Sequence, residues 1–285
     1  MFSCLALESF INDNFPEKKA KIGGEEIYDL YPRNDKLSLK FIKESLALVT
    51  DTSNSARIDD LRALKAPFLI KFDHHPIVEQ YGDINLVDVT ASSCCEVIAR
   101  MLLSRDFSNF VLSEKTCRYL YCGIIADTIN FRTTNVTYKT MSIASKLIKK
   151  GNLDVAQLVE YIMDKDLDSF NKTTAFRNYL KIRNRFGYVV LSESELQKLG
   201  LSAMEAKINI DEIGRIKDLI IWSVATENEG LYDVSVRSKR GYIINSICRD
   251  YGGGGHINAA AAKQMTKKQL NQMYEILSNL SLETH

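Results

Sequence analysis

Two short apolar runs that each stop at an aspartate constrain the fold of this chain more than any other feature. Leu46–Thr50 is followed by Asp51, and the run 67–72 is followed by Asp73. The stretch between them, 55–65, predicts a helix, so strand, helix and strand form a βαβ unit with parallel strands. Ligands of parallel sheets bind at the carboxyl ends of the strands. The sequence therefore predicts an α/β fold with two carboxylates at the ligand-binding edge of a parallel sheet.

Further along the chain, four buried helices are predicted before the pattern changes near residue 186. These helices lie at 92–104, 114–125, 139–150 and 153–163. A polar stretch follows them, and then strands are predicted at 188–191, 218–226 and 232–237, with a final amphipathic helix at 267–277. We therefore expect a first domain at 1–165, a helical linker at 166–185 and a smaller α/β domain at 186–285.

Charge and cysteine content exclude several classes of function. The chain has 37 basic and 36 acidic residues, for a net charge of +1. Proteins that coat long nucleic acids carry a basic excess, so we expect a small or short anionic substrate. The six cysteines form no CxxC pair, which is typical of buried, reduced thiols in the cytoplasm rather than of a zinc site. No run approaches the roughly 20 apolar residues that span a membrane.

The first group of residues able to carry chemistry is Asp51, Asp73-His74-His75 and Asp127. Each aspartate follows an apolar segment, and carboxylates together with imidazole bind divalent cations such as manganese. A metal held in this way activates water and stabilises the leaving oxygen of a phosphate ester. Taken singly, an aspartate after a strand is usually a turn residue, and Asp-His-His is compatible with a surface turn. Three carboxylates and two histidines in one domain favour the metal site.

The second group is a glycine run, 252–255, which is followed by His256 and preceded by Arg237 and Ser238. Glycines let backbone amides approach an anion closely, and the alanines at 259–262 would let a helix pack tightly behind them. A flexible hinge or a helix C-cap is the simpler explanation of a glycine run alone. Because cations and exposed amides together suit a phosphate group, we expect an anion-binding site here.

In this order and spacing the two groups resemble the DHH phosphoesterase family. Asp73-His74-His75 lies in KFDHHP and matches the motif for which the family is named. The segments VTDTSNSARID, VDVTASSCCE and GIIADTINF resemble its neighbouring motifs. The segments VRSK and GGGGHINAAAA resemble the DHH-associated domain, which holds substrate. The subgroup that the chain resembles most combines a nanoRNase, which degrades very short oligonucleotides, with a pAp phosphatase.

The resemblance implies a two-domain enzyme that degrades short oligonucleotides to mononucleotides and removes the 3′-phosphate of pAp. It places Asp51 between two manganese ions, with His74 and Asp127 completing the second ion. It makes His75 and Asp73 catalytic, with His75 beside the reacting phosphate. It assigns substrate binding to Arg237, Ser238, Gly253, Gly254, Gly255 and His256. It involves no membrane, it limits nucleic acid to short single strands, and it is compatible with a homodimer.

One family motif is absent from the sequence. Family members begin with a strand and a His-x-x-x-Asp-x-Asp motif that supplies ligands to the first metal, and residues 1–50 contain no histidine. The segment 3–7 resembles the helix that follows this motif, so we expect the motif to lie upstream of Met1. The alternative is a catalytically impaired paralogue that binds nucleotides. For the chain as written we expect at most one supported metal site, which leaves its own activity open.

Three other functions share some of these motifs. A cyclic-dinucleotide or linear-dinucleotide phosphodiesterase has the same motifs but often carries membrane or sensor domains. A single-strand exonuclease needs a long basic groove, which a net charge of +1 does not favour. A non-catalytic nucleotide-binding protein would keep the glycine run and lose the metal. The ordered set of motifs favours the hydrolase of short oligonucleotides.

Overall fold

A computed structural model describes residues 1–18, 20–23, 37–239 and 241–283. The chain separates into two units, Met1–Asp164 and Lys165–His285. Each unit has a hydrophobic core of its own. None of the described helices is both long enough and apolar enough to cross a membrane.

The described residues of the first unit form three strands and six α-helices. In chain order these are α1 (Phe2–Asn14), α2 (Leu39–Lys43), β1 (Leu46–Thr50), β2 (Phe68–Asp73), β3 (Ile84–Val87), α3 (Cys94–Leu102), α4 (Glu114–Asp127), α5 (Tyr138–Gly151) and α6 (Val155–Met163). Ser93, Ser113 and Asp154 start α3, α4 and α6, because each side chain accepts a hydrogen bond from the first turn. The four helices predicted for this part of the chain are therefore present.

The three strands form a parallel sheet in the order β1-β2-β3. Leu48, Ile70 and Phe72 pack into the core that α1, α3 and α4 build. Just beyond β1, the backbone N–H of Asp51 donates to Phe72 O at 2.8 Å. The prediction of parallel strands that end at Asp51 and Asp73 is confirmed, and both residues lie at the carboxyl edge of the sheet.

The prediction of a helix at 55–65 is wrong. Two short 3₁₀ turns, Ser55–Arg57 and Leu61–Lys65, occupy this stretch with extended residues between them. The side chain of Asp60 accepts hydrogen bonds from Arg62 N at 3.0 Å and from Arg62 Nε at 2.8 Å. This local cap starts a new turn and interrupts the helical repeat. The connection between β1 and β2 therefore crosses over without an α-helix.

Helix α4 ends at Asp127, and it is buried on almost every side. Its residues 119–125 are all buried, as expected for a helix that is apolar around its whole circumference. Gly123 permits this close packing, because a Cβ at that position would overlap the Cys95 sulfur on α3. Asp127 therefore comes from the end of a central helix and not from a strand of the sheet.

The described residues of the second unit form six strands and six helices. In chain order these are α7 (Leu167–Arg177), β4 (Lys181–Arg183), β5 (Phe186–Leu191), α8 (Glu193–Leu199), α9 (Ala203–Ile208), α10 (Ile210–Gly214), β6 (Ile221–Asn228), β7 (Leu231–Ser238), α11 (Asn245–Asp250), β8 (Gly254–His256), β9 (Ala259–Met265) and α12 (Lys267–Leu280). The strand order is β4-β5-β6-β7-β9-β8, and β5 and β6 are the parallel pair in it. The three strands and the final helix predicted for this region are present.

Both faces of the second sheet are packed. Along β7, every second residue is buried, and Tyr232, Val234 and Val236 face a core that includes α11 and α12. Val224 of β6 faces the opposite core, to which α8, α9 and α10 contribute. Because side chains alternate along a strand, Arg237 of β7 points away from α12. The half-exposed face of β7 therefore carries the cation that the sequence singled out.

Two stretches of the second unit depart from the sequence-based description. Residues 166–185, expected to form a linker, contain α7 and β4 and fold with this unit: Phe176 is fully buried beside α8 and α10, and β4 pairs with β5. The expectation that the alanines at 259–262 support a packed helix is wrong. They form part of β9, where their small side chains let the glycines of β8 approach.

Candidate active site

The carboxyl edge of the parallel sheet brings together two predicted metal ligands, Asp51 and His74, and the predicted catalytic residue His75. Asp51 follows β1, His74 and His75 follow β2, and one ligand atom from each lies within 4.8 Å of the others. His74 Nε2 is 3.4 Å from Asp51 Oδ1, and His75 Nδ1 is 3.7 Å from the same oxygen. Within the described ranges this is the one group of three or more potential metal ligands.

Asp51 adopts a left-handed backbone conformation with a φ angle of 63°. This conformation is unfavourable for most L-residues, and after glycine it is best tolerated by Asn and Asp. The sharp turn ends β1 and directs the carboxylate to the same side as His74. Backbone strain of this kind is typical of functional positions, where the surrounding structure holds it in place.

Asp73, predicted to be catalytic, is fully buried behind the two histidines. Its Oδ1 accepts hydrogen bonds from His74 N at 2.8 Å, from His75 N at 3.2 Å and from His75 Nδ1 at 2.8 Å. Burial alone would raise the pKa of Asp73, but the hydrogen bonds and charge of His75 outweigh it and hold the pKa at about 2. Because a carboxylate only accepts, His75 Nδ1 must carry the proton, and Asp73 acts through the orientation of His75.

His74 is oriented so that its second nitrogen faces the Asp51 carboxylate. Its Nδ1 lies 3.4 Å from Ala91 O, and since a carbonyl only accepts, Nδ1 is the donor. Burial lowers the pKa of His74, but the hydrogen bond and charge of Asp51 outweigh it and raise the pKa. The Asp51 carboxylate therefore favours the form of His74 that carries a proton on Nε2. A divalent cation can replace that proton, so these donors fit a metal bound through oxygen and nitrogen.

Asp127 joins the site from the end of α4. Asp51 and Asp127 line one small cavity of about 50 Å³, together with the first turn of α1. Burial, and next the negative charge of Asp51, raise the pKa of Asp127 to about 6. Two carboxylates that repel one another across a cavity are an arrangement that a cation stabilises. Asp127 lies outside the group of three ligands formed by Asp51, His74 and His75, so its role as a further ligand stays a prediction.

The same cavity is lined by two thiols, Cys94 and Cys95. Burial raises the pKa of both thiols well above the ordinary range, so they stay protonated near neutral pH. Protonated thiols are poor metal ligands, because the thiolate is the ligating form. The donors of this site are therefore carboxylate and imidazole, the set that manganese and similar cations accept.

Two residues near the ligands, Lys71 and Tyr81, were missed from the sequence. Lys71 is fully buried in β2, and its ammonium donates to Ser53 O and Glu79 O, each at 3.0 Å. Tyr81 donates its hydroxyl to Thr52 O at 3.0 Å. One signal was present in the sequence: a lysine in the middle of an apolar strand, two positions before the Asp-His-His motif. A charge in such a strand has to find partners inside the protein.

In the second unit, the register of the strands places the predicted cations on one face of the sheet. Arg237 of β7 is opposite Ala259 of β9, and Ala259 is opposite His256 of β8. Residues in register on neighbouring strands share a face, so Arg237 and His256 lie about 10 Å apart with a small alanine between them. Arg237 and His256 therefore offer nitrogen donors on one face of the sheet, which suits an anion.

Other predicted substrate residues of the second unit have structural roles. Ser238 is buried, donates its hydroxyl to Tyr242 O at 2.7 Å and accepts from Asn258 Nδ2 at 2.9 Å. A Cβ at Gly253 would overlap the backbone carbonyl oxygen of Ala261. Gly255 likewise faces the backbone of β9, with a hypothetical Cβ 2.5 Å from Ala259 O, whereas Gly254 faces open space. Close strand packing is therefore sufficient to require glycine at 253 and 255.

Comparisons with known proteins agree with this description. The DHHA1 domain profile matches residues 186–281. A Streptococcus mutans protein, named probable bifunctional oligoribonuclease and PAP phosphatase NrnA, is 34% identical over 98% of this chain and 89% of its own length. The chain belongs to the DHH phosphoesterase family. Members of this family are metal-dependent, so the cluster of Asp51, His74 and His75 is its metal-site candidate.

A second relative and one solved structure extend the comparison. The Bacillus subtilis bifunctional oligoribonuclease and PAP phosphatase NrnA is 30% identical over 97% of this chain and 89% of its own length. An exopolyphosphatase-related protein from Bacteroides fragilis has a TM-score of 0.75 and 20% identity, covering 86% of this chain and 75% of that chain. At that identity the likeness concerns the fold alone, and the α/β fold of this DHH family member is thereby confirmed.

Proposed function

We propose that this chain is a metal-dependent hydrolase that degrades short oligonucleotides to mononucleotides and removes the 3′-phosphate of pAp. Two relatives that cover nearly the whole chain are named for these two activities. The observation that carries the proposal is the convergence of Asp51, His74 and His75 at the sheet edge, with Asp73 buried behind them. Carboxylate and imidazole donors at that edge suit phosphoester hydrolysis with a bound cation.

The cation that we propose is Mn²⁺, held by Asp51, His74 and Asp127. All three donors are oxygen or nitrogen, and manganese accepts both. When bound, such an ion lowers the pKa of a coordinated water and offsets negative charge on the phosphate. The one group of three or more ligands in the described part of the chain is Asp51, His74 and His75, which shares Asp51 and His74 with this set, so we propose one ion for these residues.

We propose that His75 handles the proton of the leaving group. Its Nδ1–H is donated to Asp73, so proton exchange with a substrate uses Nε2. In the reaction, a water oxygen bonds to phosphorus and gives up one proton to solvent, the phosphorus–oxygen ester bond breaks, and the departing oxygen takes a proton from His75 Nε2, which solvent then replaces. The Asp73 carboxylate accepts the Nδ1–H and fixes the plane of the ring, which leaves Nε2 for the exchange.

We propose that the second unit contributes a substrate-binding surface of its own. Arg237 and His256 lie on one face of the sheet on either side of Ala259. The amides of Gly254 and Gly255 complete the proposed set, because the Gly253 N–H already donates to Cys248 O at 2.8 Å and the Ser238 hydroxyl donates to Tyr242 O. A substrate of a few nucleotides fits a surface with few cations in a chain of net charge +1. We further propose a cytoplasmic location, where its six free thiols stay reduced.

The test is hydrolysis of pAp and of a 5′-phosphorylated dinucleotide with Mn²⁺, with a cyclic dinucleotide as a third substrate. We expect AMP and phosphate from pAp and mononucleotides from the linear dinucleotide, with no turnover when EDTA is present. His75→Asn should lower kcat by roughly 10²-fold or more and keep Mn²⁺ binding. Folded protein that binds Mn²⁺ and turns over none of the three substrates would refute the proposal. Binding of pAp without turnover would then establish a nucleotide-binding protein.

A further inference from the structure

Lys71 is a charged side chain inside the first unit that the mechanism above does not use. It lies in β2 two residues before Asp73 and is fully buried. Its ammonium donates to Ser53 O and to Glu79 O, each at 3.0 Å, and lies 3.4 Å from Asp73 Oδ2. A buried ammonium persists only when such partners replace its water. Lys71 therefore links three separate segments of the chain at one buried point.

The three partners of Lys71 belong to the segments that carry the proposed metal ligands. Ser53 lies in the loop that begins at Asp51, and Glu79 lies in the loop that follows His75. Asp73 itself accepts the Nδ1–H of His75 through its other oxygen, Oδ1, at 2.8 Å. The Asp73 carboxylate is thus held from two sides, by an ammonium on Oδ2 and by an imidazole on Oδ1.

A second hydrogen bond joins the two loops to one another. In contrast, no second cation of the described residues lies beside Asp73 Oδ2. Tyr81, in the later loop, donates its hydroxyl to Thr52 O at 3.0 Å in the earlier loop. Its ring also lies 4.8 Å from Lys71 Nζ. Among the described residues, Asp73 Oδ2 has no hydrogen-bond partner, and Lys71 is the cation beside it. Orientation of Asp73 is therefore the contribution specific to Lys71.

We propose that Lys71 is a positioning residue of this site, which holds the Asp73 carboxylate in the orientation that receives the His75 imidazole. The role of His75 in hydrolysis rests on the proposed function, whereas the geometry does not. Without the ammonium, Oδ2 would be a buried anionic oxygen with no partner, which is strongly unfavourable. The carboxylate would turn toward another donor, and His75 would lose its fixed partner. His74 N would also lose its acceptor, Asp73 Oδ1 at 2.8 Å, so this proposed Mn²⁺ ligand would shift relative to Asp51.

The test is Lys71→Met, which removes the ammonium while keeping an unbranched side chain. With ¹⁵N-labelled histidine, the chain has four imidazoles to resolve, and His75→Asn assigns the signals of His75. We expect the wild-type ring to show one tautomer, protonated at Nδ1, and the Lys71→Met ring to show a mixture. The Kd for Mn²⁺, measured by calorimetry, should rise roughly 10- to 100-fold. The kcat for pAp should fall by about the same factor while KM stays within about twofold.

Tyr81→Phe is the matched control, because it removes a contact between the same two loops and leaves Lys71 beside Asp73. We expect it to keep the His75 tautomer and the Mn²⁺ affinity of the wild type. If Tyr81→Phe changes both as much as Lys71→Met does, looseness of the loops explains the effect and the proposal is wrong. It is also wrong if Lys71→Met keeps both properties, whatever its melting temperature.

Two provisions keep the test decisive. If Lys71→Met does not fold, Lys71→Gln replaces it, because a neutral amide can still donate to Ser53 O or Glu79 O but offers no charge to Asp73. The same tautomer and Mn²⁺ measurements then apply. Both are made without substrate, so a wild-type protein that hydrolyses nothing refutes the proposed function and leaves the test of Lys71 intact.

Discussion

The two units differ in whether packing within the protein explains their unusual residues. In the first unit, Asp51 and the turn 129–131 have left-handed backbone conformations, and the pKa of Asp127 is raised. In the second unit, Gly253 is required by the close approach of β8 to β9, and Ser238 completes a buried hydrogen-bond network. The residues of the first unit lower the stability of the metal-free protein, whereas those of the second unit are required by close packing.

This difference shows where a ligand is needed to explain the structure. Asn184, Glu229 and Gln264 of the second unit are also left-handed, so the feature that sets the first unit apart is Asp127, whose raised pKa reduces the stability of the metal-free protein near neutral pH. A bound cation would offset the repulsion between Asp51 and Asp127 and give the strained turn a function. The glycines of the second unit require no ligand, so their proposed part in substrate binding needs a separate test.

The largest effect is expected from Asp51→Asn in the first unit. Asparagine tolerates the left-handed conformation as well as aspartate does, so the backbone should keep its course. The variant should lose Mn²⁺ binding, and its rate on pAp should fall by about 10³-fold or more. Its metal-free melting temperature should change little, because repulsion of Asp127 is relieved while attraction to His74 is lost. Retention of full activity would place the catalytic cation elsewhere.

In the second unit, Gly253→Ala and Gly254→Ala test whether close packing requires glycine at each position. The added Cβ at Gly253 overlaps a carbonyl oxygen of β9, so unfolding free energy should fall by roughly 2–4 kcal/mol. The same change at Gly254 meets open space and should stay within about 0.5 kcal/mol. Fluorescence of Trp222, the single tryptophan, reports unfolding of this unit in urea. Equal effects at both positions would contradict the packing explanation.

A smaller effect is expected from pH on the metal-free protein. The pKa of Asp127 is raised to about 6, so the folded state holds this proton more tightly than the unfolded chain. Its contribution to stability is present below about pH 4 and is lost as pH rises through about 6. The raised pKa of His74 acts in the same direction at slightly higher pH. Asp73, with a pKa of about 2, acts oppositely and only in stronger acid.

We therefore expect the melting temperature in EDTA to fall between about pH 5 and about pH 7.5, by less in Asp127→Asn than in the wild type. Adding Mn²⁺ should restore most stability at the higher pH, where the ligands have lost their protons. Identical pH profiles for the wild type and Asp127→Asn would show that this carboxyl does not titrate as described.

The smallest effect is expected from Ser238→Ala. Its hydroxyl joins Tyr242 and Asn258, so unfolding free energy should fall by roughly 1–2 kcal/mol. The KM for pAp should stay within about twofold, because the hydroxyl is committed to these partners. A tenfold rise in KM without loss of stability, by steady-state kinetics and urea unfolding, would instead give Ser238 a direct part in binding substrate.

Much of the fold could be predicted from local patterns. The strands Leu46–Thr50 and Phe68–Asp73 are apolar runs with sharp ends, and they were found almost to the residue. The stretch 55–65 misled because its residues suit a helix, while one capping side chain, Asp60, starts a separate turn. Residues 166–185 look like a polar linker because α7 is largely exposed and contributes few buried residues, with Phe176 among them.

By itself, the sequence determined the parallel strands, the carboxylates at their ends and the adjacent histidine pair, because each is encoded in a few consecutive residues. Only the tertiary structure decided which nitrogen of His75 carries the proton, why the pKa of Asp127 is raised and what surrounds Lys71. These properties arise from burial and from charges on segments distant in the chain. Electrostatic interactions depend on distance in space and on exclusion of water, and neither can be read from order along a chain.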